Sequence, residues 1–206
     1  PDFNTAWYFD DKVGQKYLLE AIGAPLVPSY VFYEKQKASQ WVEEVNFPKV
    51  FKLRKGAGSN HVKLVRTKSE AIKLINKAFA RGFSQYDKLA NLKDRWYKYK
   101  NGITGLWDVL KGVLRFGKTT EFARIAGPEK GYIYFQEFVP GNDSDIRIIV
   151  INGKAFGIKR LVRDGDFRAS GSGHVLYEKK HFDEETVRLS LDLADKIGSQ
   201  CLAVDY

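Results

Sequence analysis

The dipeptide Asn152-Gly153 restricts the possible folds of this chain more than any other short segment. Both residue types accept positive φ, and a two-residue turn of this kind joins neighbouring antiparallel strands. Residues 145–151 before it and 155–163 after it have strand-like sequences. A helix over 183–197 and a strand over 200–206 are predicted next. Hairpins beside helices are typical of the α+β class, which we therefore predict.

The first 80 residues predict the same mixture of elements. We predict helices over 11–22, 38–45 and 69–80, and strands over 26–33, 48–54 and 61–67. Hydrophobic residues make up 44% of the chain, which is enough for a packed core, but no apolar run approaches the ~20 residues that span a bilayer. The single cysteine, Cys201, excludes an internal disulfide, and we expect it to be buried in the last strand. A chain without disulfides suits a reducing compartment, so we expect a cytoplasmic protein.

Residues 81–130 differ from the rest and are predicted to form a helical insertion, with helices over 87–100 and 103–116. The stretch contains eleven Lys or Arg and five Asp or Glu, so it holds +6 of the net charge of +9. Trp96 and Trp107 lie among the lysines. We expect an acidic partner at this surface. The alternative is a solvated helical pair whose aromatic side chains pack on the domain.

Residues 112–119 match the P-loop pattern G-x-x-x-x-G-K-T, but their context argues against a P-loop. Such a loop follows a buried strand and opens a helix. Here the preceding apolar residues, among them Leu106, Leu110 and Val113, have helical spacing. We interpret the match as the end of a helix with a basic tail.

A better phosphate site is predicted where the strand over 48–54 ends. This strand carries Lys52, and a loop with Gly56, Gly58 and Ser59 follows it at once. Glycines let backbone amides turn toward an anion, and a lysine on the preceding strand can neutralise phosphate charge. Ordinary hairpins share this pattern, so its meaning depends on the motifs that follow.

Seven segments of the chain together have a recognisable order. They are Asp11-Lys12, Phe47 to Lys52, Gly56 to Val62, Gln136-Glu137-Phe138-Val139, Asp145-Ile146-Arg147, Asp166-Phe167-Arg168 and Ala203-Val204-Asp205. In this order they resemble the ATP-grasp superfamily, most closely the branch that attaches glutamate to ribosomal protein and related peptides. The resemblance covers about residues 10–80 and 131–206, and it implies a fold in which two α+β subdomains grip ATP.

The resemblance also implies roles for individual residues. Arg168 would be the catalytic residue that faces the γ-phosphate or the acyl phosphate, and Asp205 would bind Mg²⁺. Glu137 and the backbone around it would bond the edge of adenine, and Asp145 would bond the ribose. Ser170 stands where the glutamate ligases carry Asn. The implied nucleotide-binding residues are Lys12, Lys52, Gly56, Gly58, Ser59, Gln136, Glu137, Phe138, Val139, Asp145, Arg160 and Ser170.

The implied organisation has four parts. Residues 1–46 form a first segment, residues 47–80 with 131–139 the small subdomain, residues 81–130 the insertion, and residues 140–206 an incomplete C-terminal subdomain. The family completes its metal site with Glu-x-Asn, which would follow Tyr206. We therefore expect an ATP-binding piece of a longer enzyme, truncated at its C-terminus and inactive alone.

The implied reaction is the ATP-dependent ligation of a carboxylate to an amine or a related nucleophile, through an acyl phosphate and with Mg²⁺. Two alternatives stay open. One is a kinase of the same fold that phosphorylates a hydroxyl, and the other is a non-catalytic module that binds an acidic polymer through the insertion. The sequence identifies neither the carboxylate nor the nucleophile.

Overall fold

A computed structural model describes residues 6–55, 61–84, 88–100, 102, 104–114, 125, 127–162, 167–169 and 173–206. Within these residues the chain divides into two units. The central unit consists of the described residues from Tyr30 to Gln136, and the terminal unit consists of those before Tyr30 and after Gln136. The described elements are α1 (Lys12–Ala21), β1 (Ser29–Phe32), α2 (Lys35–Glu44), β2 (Lys49–Lys52), β3 (Lys63–Val65), α3 (Lys68–Ala78), α4 (Lys88–Lys100), α5 (Leu106–Leu114), β4 (Ile133–Glu137), β5 (Ser144–Ile151), β6 (Lys154–Leu161), β7 (Val175–Leu176), α6 (Glu184–Ile197) and β8 (Cys201–Asp205).

The central unit builds a four-stranded sheet in the order β1-β4-β2-β3, with β2 antiparallel to β3. Helix α3 buries Ala71, Ile75 and Ala78, whose spacing places them on one helical face, as the sequence predicts. These side chains share one core with α2 and with the sheet residues Phe51 and Phe135. The core therefore lies between the two helices and one face of the sheet.

The terminal unit builds a second four-stranded sheet in the order β7-β6-β5-β8, in which every described pairing is antiparallel. Asn152 and Gly153 both have positive φ, so the predicted two-residue turn between β5 and β6 is confirmed. Ile148 and Val150 of β5 pack with Ala194 of α6. The side chains at the odd positions of β5 consequently lie on the opposite face of the sheet.

Replacing Gly157 with alanine should destabilise the terminal unit by about 1–3 kcal/mol. A Cβ atom at this position would lie 2.9 Å from three ring atoms of Phe182, whose ring packs against the core of this unit. Urea denaturation measures the change in the free energy of unfolding. Gly105→Ala is the matched control, because its Cβ would meet nothing within 4 Å, and we expect a change below about 0.5 kcal/mol. Equal effects of the two substitutions would contradict the packing argument.

Two sequence predictions differ from the structure. Cys201 is exposed, so the prediction that it lies in the core is wrong. The reason is that Cys201 pairs with Ile151 on the face of the sheet opposite α6, where the alternation of β8 exposes residues 201, 203 and 205. The short strand β7 and the 3-10 turn Lys179–His181 were not predicted, since neither is long enough to show a period. The dipeptide Asp164-Gly165, which predicts a further turn, lies outside the described residues.

Helices α4 and α5 pack against each other within residues 81–130. Their ranges are close to those predicted for the two helices of this stretch. The first glycine of the P-loop match, Gly112, lies inside α5, so a strand does not precede it. A Cβ on Gly112 would lie 2.7 Å from Arg95 Cδ, which shows that this glycine permits close packing on α4. Reciprocal backbone hydrogen bonds of 2.8 Å join Phe83 and Glu129, and they bring the two ends of the stretch together. No helix in the described part of the chain is long and apolar enough to cross a membrane.

Candidate active site

Lys52 and Gln136, two of the predicted nucleotide-binding residues, lie side by side in the central unit. Phe51 and Phe135 point into the core beneath the helices, so alternation places the next residue of each strand on the opposite face. Strands β2 and β4 are neighbours, and Lys52 Nζ donates a hydrogen bond to Gln136 Oε1 at 2.5 Å. An ammonium group is therefore held at the end of β2, on the sheet face opposite Phe51 and Phe135.

The segment that leads from β2 into the glycine loop is fixed by two side chains that the sequence did not identify. The amide of Arg54 donates to Tyr132 Oη at 2.6 Å, and the amide of Lys55 donates to Glu129 Oε1 at 3.3 Å. The Tyr132 hydroxyl also donates to Glu129 Oε2. Burial, and next the hydrogen bond to Glu129, raise the pKa of Tyr132 far above its usual value, so the hydroxyl stays protonated. Gly56, Gly58 and Ser59 themselves lie outside the described residues.

Replacing Tyr132 with phenylalanine should speed amide hydrogen exchange at Arg54 about fivefold, which corresponds to about 1 kcal/mol for one hydrogen bond. The ring is kept, so the substitution removes only the acceptor for the Arg54 amide and the hydrogen bond that the hydroxyl donates to Glu129. Exchange followed by nuclear magnetic resonance gives the rate at this residue. Tyr177→Phe, which changes an exposed tyrosine of the terminal unit, should leave the rate unchanged. Unchanged exchange in the Tyr132 variant would contradict this account of how the loop begins.

The predicted adenine segment begins at the end of β4 and continues into the terminal unit. The amide of Glu137 donates to the carbonyl of Pro28 at 2.9 Å, so this donor is engaged within the fold. The ring of Phe138 meets that of Phe167 edge-on, with 6.1 Å between the ring centroids. The guanidinium of Arg168 lies 5.9 Å from the centroid of the Phe167 ring. Phe167 therefore connects the adenine segment with the predicted catalytic arginine.

Lys12 lies at the first position of α1 in the terminal unit. Asp11 caps this helix, because its Oδ1 accepts hydrogen bonds from the amides of Val13 and Gly14 at 3.1 and 2.9 Å. Lys12 Nζ lies 4.0 Å from a carboxylate oxygen of Asp10. The lysine is thus placed at a helix N-terminus, where backbone N–H groups already favour an anion.

Four charged side chains meet on the face of the second sheet that is opposite α6. The register pairs Asp145 with Arg160 and Arg147 with Asp205. Arg160 donates to both carboxylate oxygens of Asp145, at 2.7 and 2.6 Å, and its Nη2 lies 3.0 Å from Asp205 Oδ1. Arg147 donates to both oxygens of Asp205, at 2.6 and 2.7 Å. We call these four residues the charged cluster.

The ion pairs of the charged cluster shift the pKa values of two of its members, Asp205 and Arg160. Burial raises the pKa of Asp205, but the hydrogen bonds and charges of Arg147 and Arg160 outweigh burial, and the pKa lies below its usual value. Burial lowers the pKa of Arg160, yet Asp145 and Asp205 outweigh it in turn and raise that pKa. The formal charges of the two carboxylates and the two guanidinium groups of the cluster cancel.

Comparison with known proteins agrees with this architecture. Residues 113–206 match the family of RimK-like ATP-grasp domains. Similar solved structures include a RimK-domain ATP-grasp protein of Sphaerobacter thermophilus DSM 20745, with a TM-score of 0.54 and 15% identity, and the D-alanine–D-alanine ligase of Bacillus anthracis, with a TM-score of 0.55 and 16% identity. The chain has the ATP-grasp fold, and its residues 113–206 are similar to the RimK-like ATP-grasp domains. No curated protein matches it in sequence.

The structural similarity extends over almost all of this chain, including the residues before position 113, where the family match begins. The two structures cover 98% and 99% of this chain, whereas this chain covers 54% of each of them. The biotin carboxylase domain of Hydrogenobacter thermophilus 2-oxoglutarate carboxylase covers 100% of it, with a TM-score of 0.57 and 13% identity, and the chain covers 38% of that protein. The chain thus spans about half the length of these relatives or less.

A magnesium ion, which the ATP-grasp resemblance implies, does not fit the described residues as they stand. Asp205 is the predicted metal ligand, but Arg147 occupies both of its carboxylate oxygens and Arg160 adds a third contact. No group of three His, Cys, Asp or Glu side chains that could hold a metal occurs among the described residues. Mg²⁺ prefers oxygen ligands in octahedral geometry, and guanidinium groups beside it would repel it. We therefore derive no step through Mg²⁺, and its binding by Asp205 stays a prediction.

The site residues that the ATP-grasp resemblance predicts belong partly to one unit and partly to the other. Lys52 and Gln136 belong to the central unit, whereas Lys12, Glu137, Phe138, Val139, Asp145, Arg160, Arg168 and Asp205 belong to the terminal unit. Ser170 lies outside the described residues. Arg147 is not among the predicted nucleotide-binding residues, yet it holds Asp205 through two hydrogen bonds. Its signal was the two-residue spacing from Asp145, which puts both side chains on one face of β5.

Proposed function

We propose that this chain binds ATP and forms part of an enzyme that joins a carboxylate to an amine or a related nucleophile. The observation that carries the proposal is the pairing of Lys52 with Gln136 on neighbouring strands, just ahead of Gly56 and Gly58. A positive charge at the end of a strand, followed by amides in a glycine loop, suits a chain of phosphates. The ATP-grasp fold supports the choice of nucleotide.

In the proposed complex each part of the nucleotide has its own partners. Lys52, Lys12 and the loop with Gly56, Gly58 and Ser59 contact the phosphates. The base lies against Phe138, and its edge bonds the backbone of Phe138 and Val139, because the Glu137 amide is engaged by Pro28. Asp145 bonds the ribose, and Arg160 orients that carboxylate through two hydrogen bonds. The same proposal includes a cytoplasmic location for the protein, ATP as the nucleotide and a metal ion that accompanies ATP.

The proposed reaction has two steps. First, a carboxylate oxygen of the substrate attacks the γ-phosphorus of ATP, the bond to the β-phosphate oxygen breaks, and ADP leaves. Second, the amine nitrogen attacks the acyl carbon, phosphate leaves with the C–O bond electrons, and the nitrogen loses a proton. Arg168 would stabilise the charge on the transferring phosphoryl group, and the other residues position the reactants.

Calorimetry tests nucleotide binding by the chain, and chemical trapping then tests the ligase reaction. ATP should bind at least about tenfold more tightly than AMP, because Lys52 contacts only the terminal phosphates. With a panel of carboxylic acids and hydroxylamine, an acyl phosphate would give a hydroxamate. ATP binding followed by phosphorylation of a hydroxyl compound, without a hydroxamate, would establish the kinase alternative. A chain that binds no nucleotide contradicts the proposal.

An acidic partner at residues 81–130 is a second part of the proposed function. The excess of +6 in this stretch favours it. Affinity for such a partner should fall as the salt concentration rises and should not depend on ATP.

A further inference from the structure

Helix α5 carries an apolar face that its partner helix does not cover. Val109 and Gly112 are the buried residues of α5, and Gly112 packs against Arg95 and Leu92 of α4. Arg95 Nη1 also donates to the carbonyl and to the carboxylate of Asp108, at 3.0 and 2.6 Å. These contacts account for one side of α5.

The remaining apolar side chains of α5 are exposed. At 100° per residue they fall within about 120° of the helix circumference, which makes one continuous stripe. Trp107 is 65% exposed and Leu114 is 74% exposed. We call this stripe the α5 face, and its residues are Leu106, Trp107, Leu110, Val113 and Leu114. An amphipathic helix of a globular domain normally turns such a stripe into the core, so this face calls for a partner.

Lysines accompany the α5 face on the same helix and on the helix that packs against it. Lys111 borders it on α5 itself, and Lys93, Lys98 and Lys100 lie on α4. On α4, Trp96 and Tyr99 are also exposed and lie 5.7 Å apart between ring centroids. An apolar stripe with tryptophan, bordered by lysines, is the composition of helices that lie in the interface of an anionic membrane.

We propose that the α5 face, with the lysines around it, docks on the surface of an anionic phospholipid bilayer. The chain would lie on the membrane rather than span it, with Trp107, Leu110 and Leu114 among the lipid headgroups. Lysine side chains near such a surface gain attraction from the negative lipids, while the apolar side chains supply the burial that a purely ionic contact lacks.

A second copy of the chain is a poorer occupant of this face for two reasons. The helix has nine residues, so the stripe is about 13 Å long and about 10 Å wide, far below the ~800 Å² per partner of a stable dimer. Two copies would also bring together stretches that each carry a net charge of +6. An anionic surface removes both difficulties, since it is wide and of opposite charge.

Flotation with lipid vesicles tests the proposal on the intact chain. The wild-type protein should float with vesicles of phosphatidylcholine and phosphatidylglycerol, and at least about tenfold less with phosphatidylcholine alone. Leu110→Glu with Leu114→Glu should lower binding about tenfold or more, because both side chains are exposed and their replacement leaves the fold intact. Phe156→Glu, which changes an equally exposed apolar residue on β6, is the matched control and should bind as the wild type does.

Fluorescence places the contact more closely. Brominated lipids should quench the tryptophan fluorescence of the wild-type protein, and Trp107→Phe should remove most of that quenching while flotation persists.

Four outcomes would overturn the proposal: no binding to anionic vesicles, equal binding to both vesicle types, full binding by the Leu110 and Leu114 variant, or a dimer in sedimentation equilibrium that this variant dissociates. Displacement of the protein from vesicles by an acidic polypeptide, with the same dependence on Leu110 and Leu114, would assign the face to a protein partner instead.

Discussion

Replacing Lys52 with alanine should weaken ATP binding about 10- to 100-fold, the loss expected for a hydrogen-bonded charge on phosphate. The ammonium group is held by Gln136 Oε1 at 2.5 Å, so its position is fixed before the nucleotide arrives. A fixed charge loses little conformational freedom on binding, and its removal is felt in full. Isothermal calorimetry with ATP, ADP and adenosine measures the effect, and adenosine binding should not change.

Two lysines serve as controls for Lys52. Lys63 lies on β3, where it pairs with Phe51 and is exposed, so Lys63→Ala should change ATP affinity by less than about twofold. Lys118, the lysine of the P-loop match, lies outside the described residues, and Lys118→Ala should also have little effect. If Lys118→Ala weakens ATP binding and Lys52→Ala does not, the phosphates bind at the P-loop match and the proposed site is wrong.

The sequence predicted the elements of this fold that show a period. The face of α3 at Ala71, Ile75 and Ala78 and the turn at Asn152-Gly153 are local patterns, and both are confirmed. Element ends differ by a few residues, because side-chain contacts in the folded state decide where a helix or strand stops. Cys201 was predicted to be buried because its neighbours are apolar. Whether a strand lies at the edge or the centre of a sheet depends on the order of the strands. That order cannot be read from the residues of the strand itself.

The sequence indicates candidate site residues one at a time. It does not indicate which of them are in contact. Lys52 and Gln136 were chosen separately, and only the strand order β4-β2 explains why they meet. Tyr132 and Glu129 hold the start of the glycine loop from more than 70 positions away in sequence. Such contacts depend on long-range pairing of the chain, and a single sequence shows no period or spacing for them.

Replacing Arg160 with alanine should have the largest effect on stability, a loss of about 2–3 kcal/mol at neutral pH. Its side chain is 9% exposed and donates to both oxygens of Asp145, so its removal leaves a partly buried carboxylate without its guanidinium. A fully buried pair would lose about 3–5 kcal/mol, and the half-exposed Asp205 reduces that figure through solvent screening. Lysine cannot replace the paired donation to Asp145, so Arg160→Lys should recover only part of the loss. Urea denaturation monitored by circular dichroism measures the free energy of unfolding of the wild type, of Arg160→Ala and of Arg160→Lys.

The pH dependence of this loss distinguishes ion pairing from packing. The pKa of Asp205 is lowered in the folded chain, so its ion pairs contribute stability above the ordinary pKa of an aspartate, and that contribution disappears as the pH falls through the lowered value. The difference between wild type and Arg160→Ala should therefore shrink in acid. Arg147→Ala is the control: its side chain is more exposed, at 36%, and it pairs with Asp205 alone, so we expect a loss below about 1 kcal/mol. Tyr206 exchanges backbone hydrogen bonds with Ile146 at 2.7 and 3.0 Å, which keeps β8 paired in either variant. A difference for Arg160→Ala that stays constant into acid would mean that its aliphatic stem, and not its charge, stabilises the sheet.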